Sequence, residues 1–288
     1  MEYEEAKRLA AAGSDSQRRA LAASNDARPE ILYFLAEDKS ADVRRAIAGN
    51  DKTPRQADLL LARDTDLSVR ELLAQKIARL APQLSQETRT QIRDLTIEVL
   101  ETLARDEAMK VRRIVAEALK DLTDAPAHVI QELARDLEIK VAGPVLQYSP
   151  ILTDDDLIEI ITSGPIRGAL TAIAKRRRVG DRLADAIVSA AVEVPEETDT
   201  ITDLLNNRSA QIREETLDLI LEKAPAVEEW QEPLVKRPLL PMNAVKRLAE
   251  FVSSSLFDLL TSRPDLDKST AKAVAKAVKK RLAAEAKQ

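Results

Sequence analysis

A tetrapeptide ending in aspartate returns four times along this chain. It reads Leu-Ala-Glu-Asp at 35–38 and Leu-Ala-Arg-Asp at 61–64, 103–106 and 133–136. Valine stands five residues after each aspartate, as Val43, Val69, Val111 and Val141. Arginine stands six residues after the first three, as Arg44, Arg70 and Arg112, whereas the fourth copy has Ala142. A worn fifth copy, Leu204-Leu205-Asn206-Asn207, keeps Ile212 and Arg213 at the same offsets. Successive aspartates lie 26, 42 and 30 residues apart. A unit of that size cannot bury its apolar face alone, so recurrence at this interval commits the chain to a stack of repeats.

Each repeat reads as two helices joined by a turn. Pro29, Pro54 and Pro126 precede their aspartates by nine or ten residues, and proline suits a helix start because its missing N–H has no intrahelical partner there. Apolar residues then fall at helical spacing, as in Ile31, Leu32 and Leu35 or Val129, Ile130 and Leu133. A second helix is expected near each repeated valine, carrying Val43, Ile47 and Ala48, or Val111, Val115 and Leu119. Only six glycines and 2% aromatics suit thin layers of helix packed by aliphatic side chains. The expected fold is all-α, a curved solenoid of stacked antiparallel helix pairs.

The aspartate and arginine have a common physical reason. An aspartate in the turn accepts N–H groups of the following helix. An arginine one turn into that helix reaches a neighbouring repeat's aspartate, and its planar guanidinium bonds two acceptors at once. A structural ladder of Asp38, Arg44, Asp64, Arg70, Asp106, Arg112, Asp136, Asn207 and Arg213 is therefore expected. With Ala142 in place of an arginine, Asp136 is expected to lack a partner.

The Asp-x5-Arg spacing in a helical hairpin resembles HEAT-type repeats. Three blocks resemble a bacterial family defined as domain of unknown function 2336: ADLLLARDTDLSVRELLA at 57–74, VIQELARDLEIKVAGPVLQYSPILTDDDLIEII at 129–161 and PLVKRPLLP at 233–241. The resemblance spans roughly residues 30–260 and implies a HEAT-like α-helical fold. It carries no catalytic residues; HEAT-like proteins in general are binding scaffolds, so that role is what it implies.

Along the chain, residues 1–27 are expected as an N-terminal cap, 28–226 as the repeats, 227–267 as a C-terminal wrap with closing helices, and 268–288 as a basic amphipathic tail helix. A long first helix is expected at about 86–105, and Gly143-Pro144 predicts a kink or displaced helix start. Thr153 reads as an N-cap with Asp154, Asp155 and Asp156 in the first turn, where negative charge is favoured; calcium-loop spacing is not present. Residues 228–241, with Trp230 and three prolines, read as an irregular wrap before a closing helix at 242–262. The tail recurs as Lys268, Lys272, Lys276 and Lys280 opposite Val274, Val278 and Leu282. It carries a local charge of +6 in a chain of net charge −5, which makes it a candidate for weak contact with acidic surfaces.

The chemistry inventory is short. No cysteine is present, which removes disulfides, thiolate metal sites and a cysteine nucleophile. The one histidine, His128, falls on a helix surface with no GxSxG elbow elsewhere. There is no P-loop or GxGxxG. No catalytic, cofactor-binding or metal-binding residue is expected. Lys175, Arg176, Arg177 and Arg178 form the sharpest cationic cluster and are candidate contacts for an anion or acidic partner. Seven aromatics, Tyr3, Tyr33, Phe34, Tyr148, Trp230, Phe251 and Phe257, read mostly as core, which with the acidic total argues against nucleic acid. The N-terminus lacks an apolar signal region and no stretch reaches a membrane-spanning length, so the chain reads as cytoplasmic. The expected function is a non-enzymatic scaffold that binds a protein partner on the curved surface formed by the second helices of successive repeats. A nucleic-acid binder of the DNA-repair type and a binder of a small anionic ligand or signalling nucleotide are the alternatives.

Overall fold

The computed structural model describes residues 2–86, 90–238 and 240–263. The basic tail expected at 268–288 lies outside the described residues. The chain divides into two units, Met1–Leu152 and Thr153–Gln288.

The first unit is five helical hairpins: α1 (Tyr3–Ala12) with α2 (Asp15–Ala22), α3 (Pro29–Leu35) with α4 (Ala41–Gly49), α5 (Arg55–Leu61) with α6 (Leu67–Leu80), α7 (Thr90–Ala104) with α8 (Met109–Leu119), and α9 (Ala127–Ala134) with α10 (Ile139–Tyr148). Odd-numbered helices pack on one another in chain order, and so do even-numbered ones, giving two layers. Between them lies the core. Val43, Val69, Val111 and Val141 are wholly buried, each worth about 1.5–3 kcal/mol relative to exposure. Second helices begin two residues before those valines, and the turns between layers are short enough to force antiparallel pairing.

The segment expected as the N-terminal cap holds a helical hairpin, α1 with α2. Ser14 accepts the Gln17 N–H while the Gln17 side chain accepts the Ser14 N–H, a reciprocal cap that starts α2. The expected long helix is described over Thr90–Ala104, and Ala81–Gln86 forms a 3-10 segment. Helix α10 runs unbroken through Gly143 and Pro144. Proline in a helix interior forfeits one hydrogen bond; here burial of Val141, Val145 and Leu146 outweighs it.

The second unit comprises α11 (Asp154–Thr162), α12 (Ala169–Ala174), α13 (Asp181–Ala191), α14 (Thr198–Asn206), α15 (Glu214–Lys223), α16 (Glu228–Lys236), α17 (Met242–Phe251) and α18 (Ser254–Thr261). Here α11, α13, α15 and α17 form one row and α12, α14, α16 and α18 the other. Of the segment 228–241 expected as an irregular wrap, Glu228–Lys236 is the regular helix α16, with Pro233 inside it. Its stripe of Trp230, Leu234 and Val235 is buried, and the Trp230 indole N–H donates to the Thr198 carbonyl at 3.1 Å. The closing helix is split at Val252, and Ser253 caps α18. Among the described residues no strand forms; Val179 and Ala210 make one isolated parallel bridge.

Candidate functional site

The repeated arginines and aspartates meet in the first unit as rungs between neighbouring repeats. Arg44 reaches Asp64 through Nε at 2.6 Å and Nη2 at 2.9 Å. Arg70 reaches Asp106 at 2.6 and 3.2 Å, and Arg112 reaches Asp136 at 2.6 and 3.1 Å. Each guanidinium also donates through Nη1 to the carbonyl of its own repeat's aspartate: Asp38, Asp64 and Asp106 respectively, at 2.7–2.8 Å. The carboxylate in turn accepts the N–H two residues on, from Ser40, Asp66, Ala108 or Glu138. One arginine thus closes its own turn and grips the next.

Because the arginine points forward, Asp136 does have a partner, Arg112. What Ala142 removes is the rung beyond it. Asp38, at the other end, is held by Arg18 at 2.6 and 3.0 Å. Arg18 also donates to the Gly13 carbonyl at 2.7 Å. Sequence reasoning missed this first rung because Ala12 and Gln17 stand where aspartate and valine recur. Burial pushes the Asp38 carboxyl up, but the bonds from Arg18 and the Ser40 N–H prevail and hold it below the usual carboxylate range.

A second charged device was not anticipated. Asp58 and Lys76 are both fully buried and paired through Lys76 Nζ. Arg55 adds a 2.7 Å bond to Asp58, and Lys76 also donates to the Asn50 carbonyl at 3.3 Å. Burial pushes the Lys76 ammonium below its ordinary value, with Asp58 opposing. A signal existed in the repeat register. Asp58 stands six before its rung aspartate, where the other repeats have the buried Leu32, Leu100 and Ile130.

The second unit departs from the ladder. Asn207 does not act as a rung acceptor: its amide donates to the Ala174 and Arg176 carbonyls at 2.8 and 2.7 Å, capping α12. Its counterpart in the first unit is Asn50, which donates to Ala22 and Ser24 at the end of α2. Arg213 points backward along the chain to Asp181 at 2.8 Å and Asp185 at 3.0 Å, on the exposed surface. Arg237 continues the capping theme, donating to the Leu205 carbonyl at 3.2 Å and to Ala210. Arg263 does the same for Val235 and Arg237 at 2.6 and 2.7 Å.

The cationic cluster follows the short helix α12 and is not uniform. Lys175 is paired with Asp203 at 3.1 Å. Arg176 is half-buried, and burial pushes its guanidinium down against the pull of Asp154. Arg177 and Arg178 are exposed, so anion chemistry here reduces to those two. Thr153 and Asp156 form a reciprocal cap at 3.2 and 2.9 Å, and Asp155 is 3.0 Å from Arg182. Among the described residues no group of three His, Asp or Glu side chains converges to hold a metal ion. His128 bonds Glu101 at 2.5 Å on an exposed face.

Two surfaces of the first unit present apolar residues on neighbouring helices. Along the second helices, Ala46, Leu72, Ile114 and Pro144 occupy one repeat position on α4, α6, α8 and α10 and are all partly exposed. Exposed Arg113 and Lys140 flank them, while Lys110 is tied to Glu71 at 2.6 Å. Along the first helices, Tyr33 is 43%, Phe34 55% and Leu60 39% exposed. With Tyr148 also exposed, the aromatics are not mainly core; of the seven only Trp230 is fully buried.

No described helix is long and apolar enough to cross a membrane. No curated protein matches the chain. A family model does match, over residues 141–288. The match takes in most of the block at 129–161 and all of 233–241, leaves the 57–74 block outside, and runs past residue 260. Covering just over half of the sequence, it places the chain in the family described as "Uncharacterised protein conserved in bacteria (DUF2336)".

Proposed function

We propose that this protein is a non-enzymatic interaction scaffold whose partner lies along the second helices of the first unit. The observation that carries this reading is the aligned row of Ala46, Leu72, Ile114 and Pro144. Four neighbouring helices present one repeat position to solvent, apolar and half-buried each time, beside the cations Arg113 and Lys140. A repeated position on a stack is a continuous track, the arrangement by which repeat proteins grip extended partners. The repeated charges, by contrast, are consumed inside the fold: Arg44, Arg70 and Arg112 each bond a carboxylate and a carbonyl. They have little left for a substrate.

The test is site-specific photo-crosslinking in the native cell, with the probe at Leu72 or Ile114 and a comparison probe at Asp94 on the first-helix side. The expected result is one protein captured from both second-helix positions and lost with Ile114→Asp. Capture only from Asp94, or none from either row, overturns the reading.

A further inference from the structure

The exposed apolar block on the first helices is a separate surface, and its surroundings specify what covers it. The rungs set the register of α1, α3, α5 and α7, which pack in that order. Five and four residues before the rung position stand Lys7 and Arg8 on α1, Tyr33 and Phe34 on α3, Leu59 and Leu60 on α5, and Glu101 and Thr102 on α7. Assigning Ala12 as the α1 rung position agrees with burial, because Ala6 and Ala10 then take the places of the buried Leu32 and Ala36. One residue before the rung, in the turns that follow α3 and α5, stand Glu37 and Arg63. Read across the helices, this face runs from cationic through apolar to acidic. Lys7, Arg8, Glu37 and Arg63 are exposed and form no ion pair with a described residue.

We propose that this face is a self-association surface whose occupant is a second copy of the chain. The two-fold axis runs along the helices between α3 and α5. A two-fold lying in the contact plane preserves position along the helices and reverses their order, so each patch meets its mirror position. Tyr33 and Phe34 then lie against the partner's Leu59 and Leu60. Glu37 meets the partner's Arg63, and Lys7 meets the partner's Glu101, whose Oε1 also bonds His128, each pair occurring twice. The like-charge meeting of Glu4 with Glu98 falls at the rim. An axis perpendicular to the helices is excluded by charge: it sets Glu30 against Glu37 and Lys7 against Arg8. The apolar centre and charged border are the anatomy of a protein interface, and three large apolar side chains exposed side by side are otherwise a liability for a lone molecule.

The experiment is sedimentation equilibrium of the full chain from about 1 to about 300 µM, the range in which a small interface associates. The wild type is expected to show a monomer–dimer equilibrium. Phe34→Glu, at a position already exposed, should be monomeric throughout with an unchanged melt. Glu37→Arg and Arg63→Glu should each weaken self-association by about tenfold or more, since like charges then face each other twice. Mixed in equal amounts, those two variants should form a heterodimer, because each supplies what the other lacks. A wild type that stays monomeric, a dimer indifferent to Phe34→Glu, or a mixture that associates no better than either variant alone overturns the proposal. None of these outcomes bears on the second-helix track.

Discussion

The two units solve one problem differently. Stacked helices end in carbonyls and begin in N–H groups with no intrahelical partner. The first unit satisfies many of these with ion-paired rungs, in which an arginine held by a buried carboxylate also takes a turn carbonyl. The second unit caps its helix ends directly, sending Asn207, Arg237 and Arg263 to the carbonyls of the preceding helix in the row, and leaves its Arg213 pair on the surface. The lesson concerns what each unit depends on. A carboxylate rung fails when its acid is protonated, whereas a carbonyl acceptor has no proton to gain.

The sharpest break should come at Asp58. Asp58→Ala leaves the Lys76 ammonium buried without its counter-charge, which costs about 3–5 kcal/mol in comparable sites. Hydrogen exchange resolved by unit should show the loss in α4 to α6 and spare α11 to α18. Replacing both partners, with Asp58→Leu and Lys76→Met, should recover most of the stability, and failure to recover would mean the pair contributes more than mutual compensation.

Single rungs and single caps should come next and cost alike. Arg70→Ala is expected to lower stability of the first unit by about 1–3 kcal/mol, and Arg237→Ala that of the second by a similar amount, because each leaves buried acceptors unsatisfied. Thermal melts unchanged by Arg70→Ala would mean that Asp106 and the Asp64 carbonyl find water instead, and the contrast between the units would collapse.

Acid should separate the units at lower cost. The Asp38 carboxyl is held below its unfolded value of about 3.9, so its contribution is complete above that pH and is lost as pH falls through the depressed folded value. Protection of α1 to α4 should therefore decline as pH falls below the ordinary carboxylate range, and Asp38→Asn should flatten that decline. The Asn207 cap should be insensitive over the same window. Smallest of all, Arg213→Ala should leave the melt unchanged, because its ion pairs sit in solvent.

The stack was legible because two of its signals are local. Apolar periodicity and the valine five residues after aspartate fix helix and face, and all four valines are buried. Rung direction was not legible, since Asp-x5-Arg within one repeat says nothing about which neighbour the arginine meets. That is why Asp136 was expected to stand alone. Asn207 misled for a related reason. Asparagine after a leucine pair imitates the rung position, yet its amide N–H is a donor, and α12 offers carbonyls. Helix α16 was hidden by Pro233, whose local penalty is smaller than the gain from burying Trp230 and Leu234. The surface tracks become visible only after the register aligns residues distant in sequence.

The rung also has a consequence for how such a chain can lengthen. Arg44 finds its aspartate 20 residues on, Arg112 finds its own 24 on, and Arg70 must wait 36. Spatial period is therefore independent of sequence period: whatever lies between an arginine and the next aspartate may grow, provided its ends return to the same clasp. The extra length between Arg70 and Asp106 includes the 3-10 segment Ala81–Gln86, in which Pro82 and Gln83 are exposed. A foreign peptide grafted after Gln83 should thus ride on the stack without disturbing the repeats on either side, making that link a natural attachment point on an otherwise register-bound molecule.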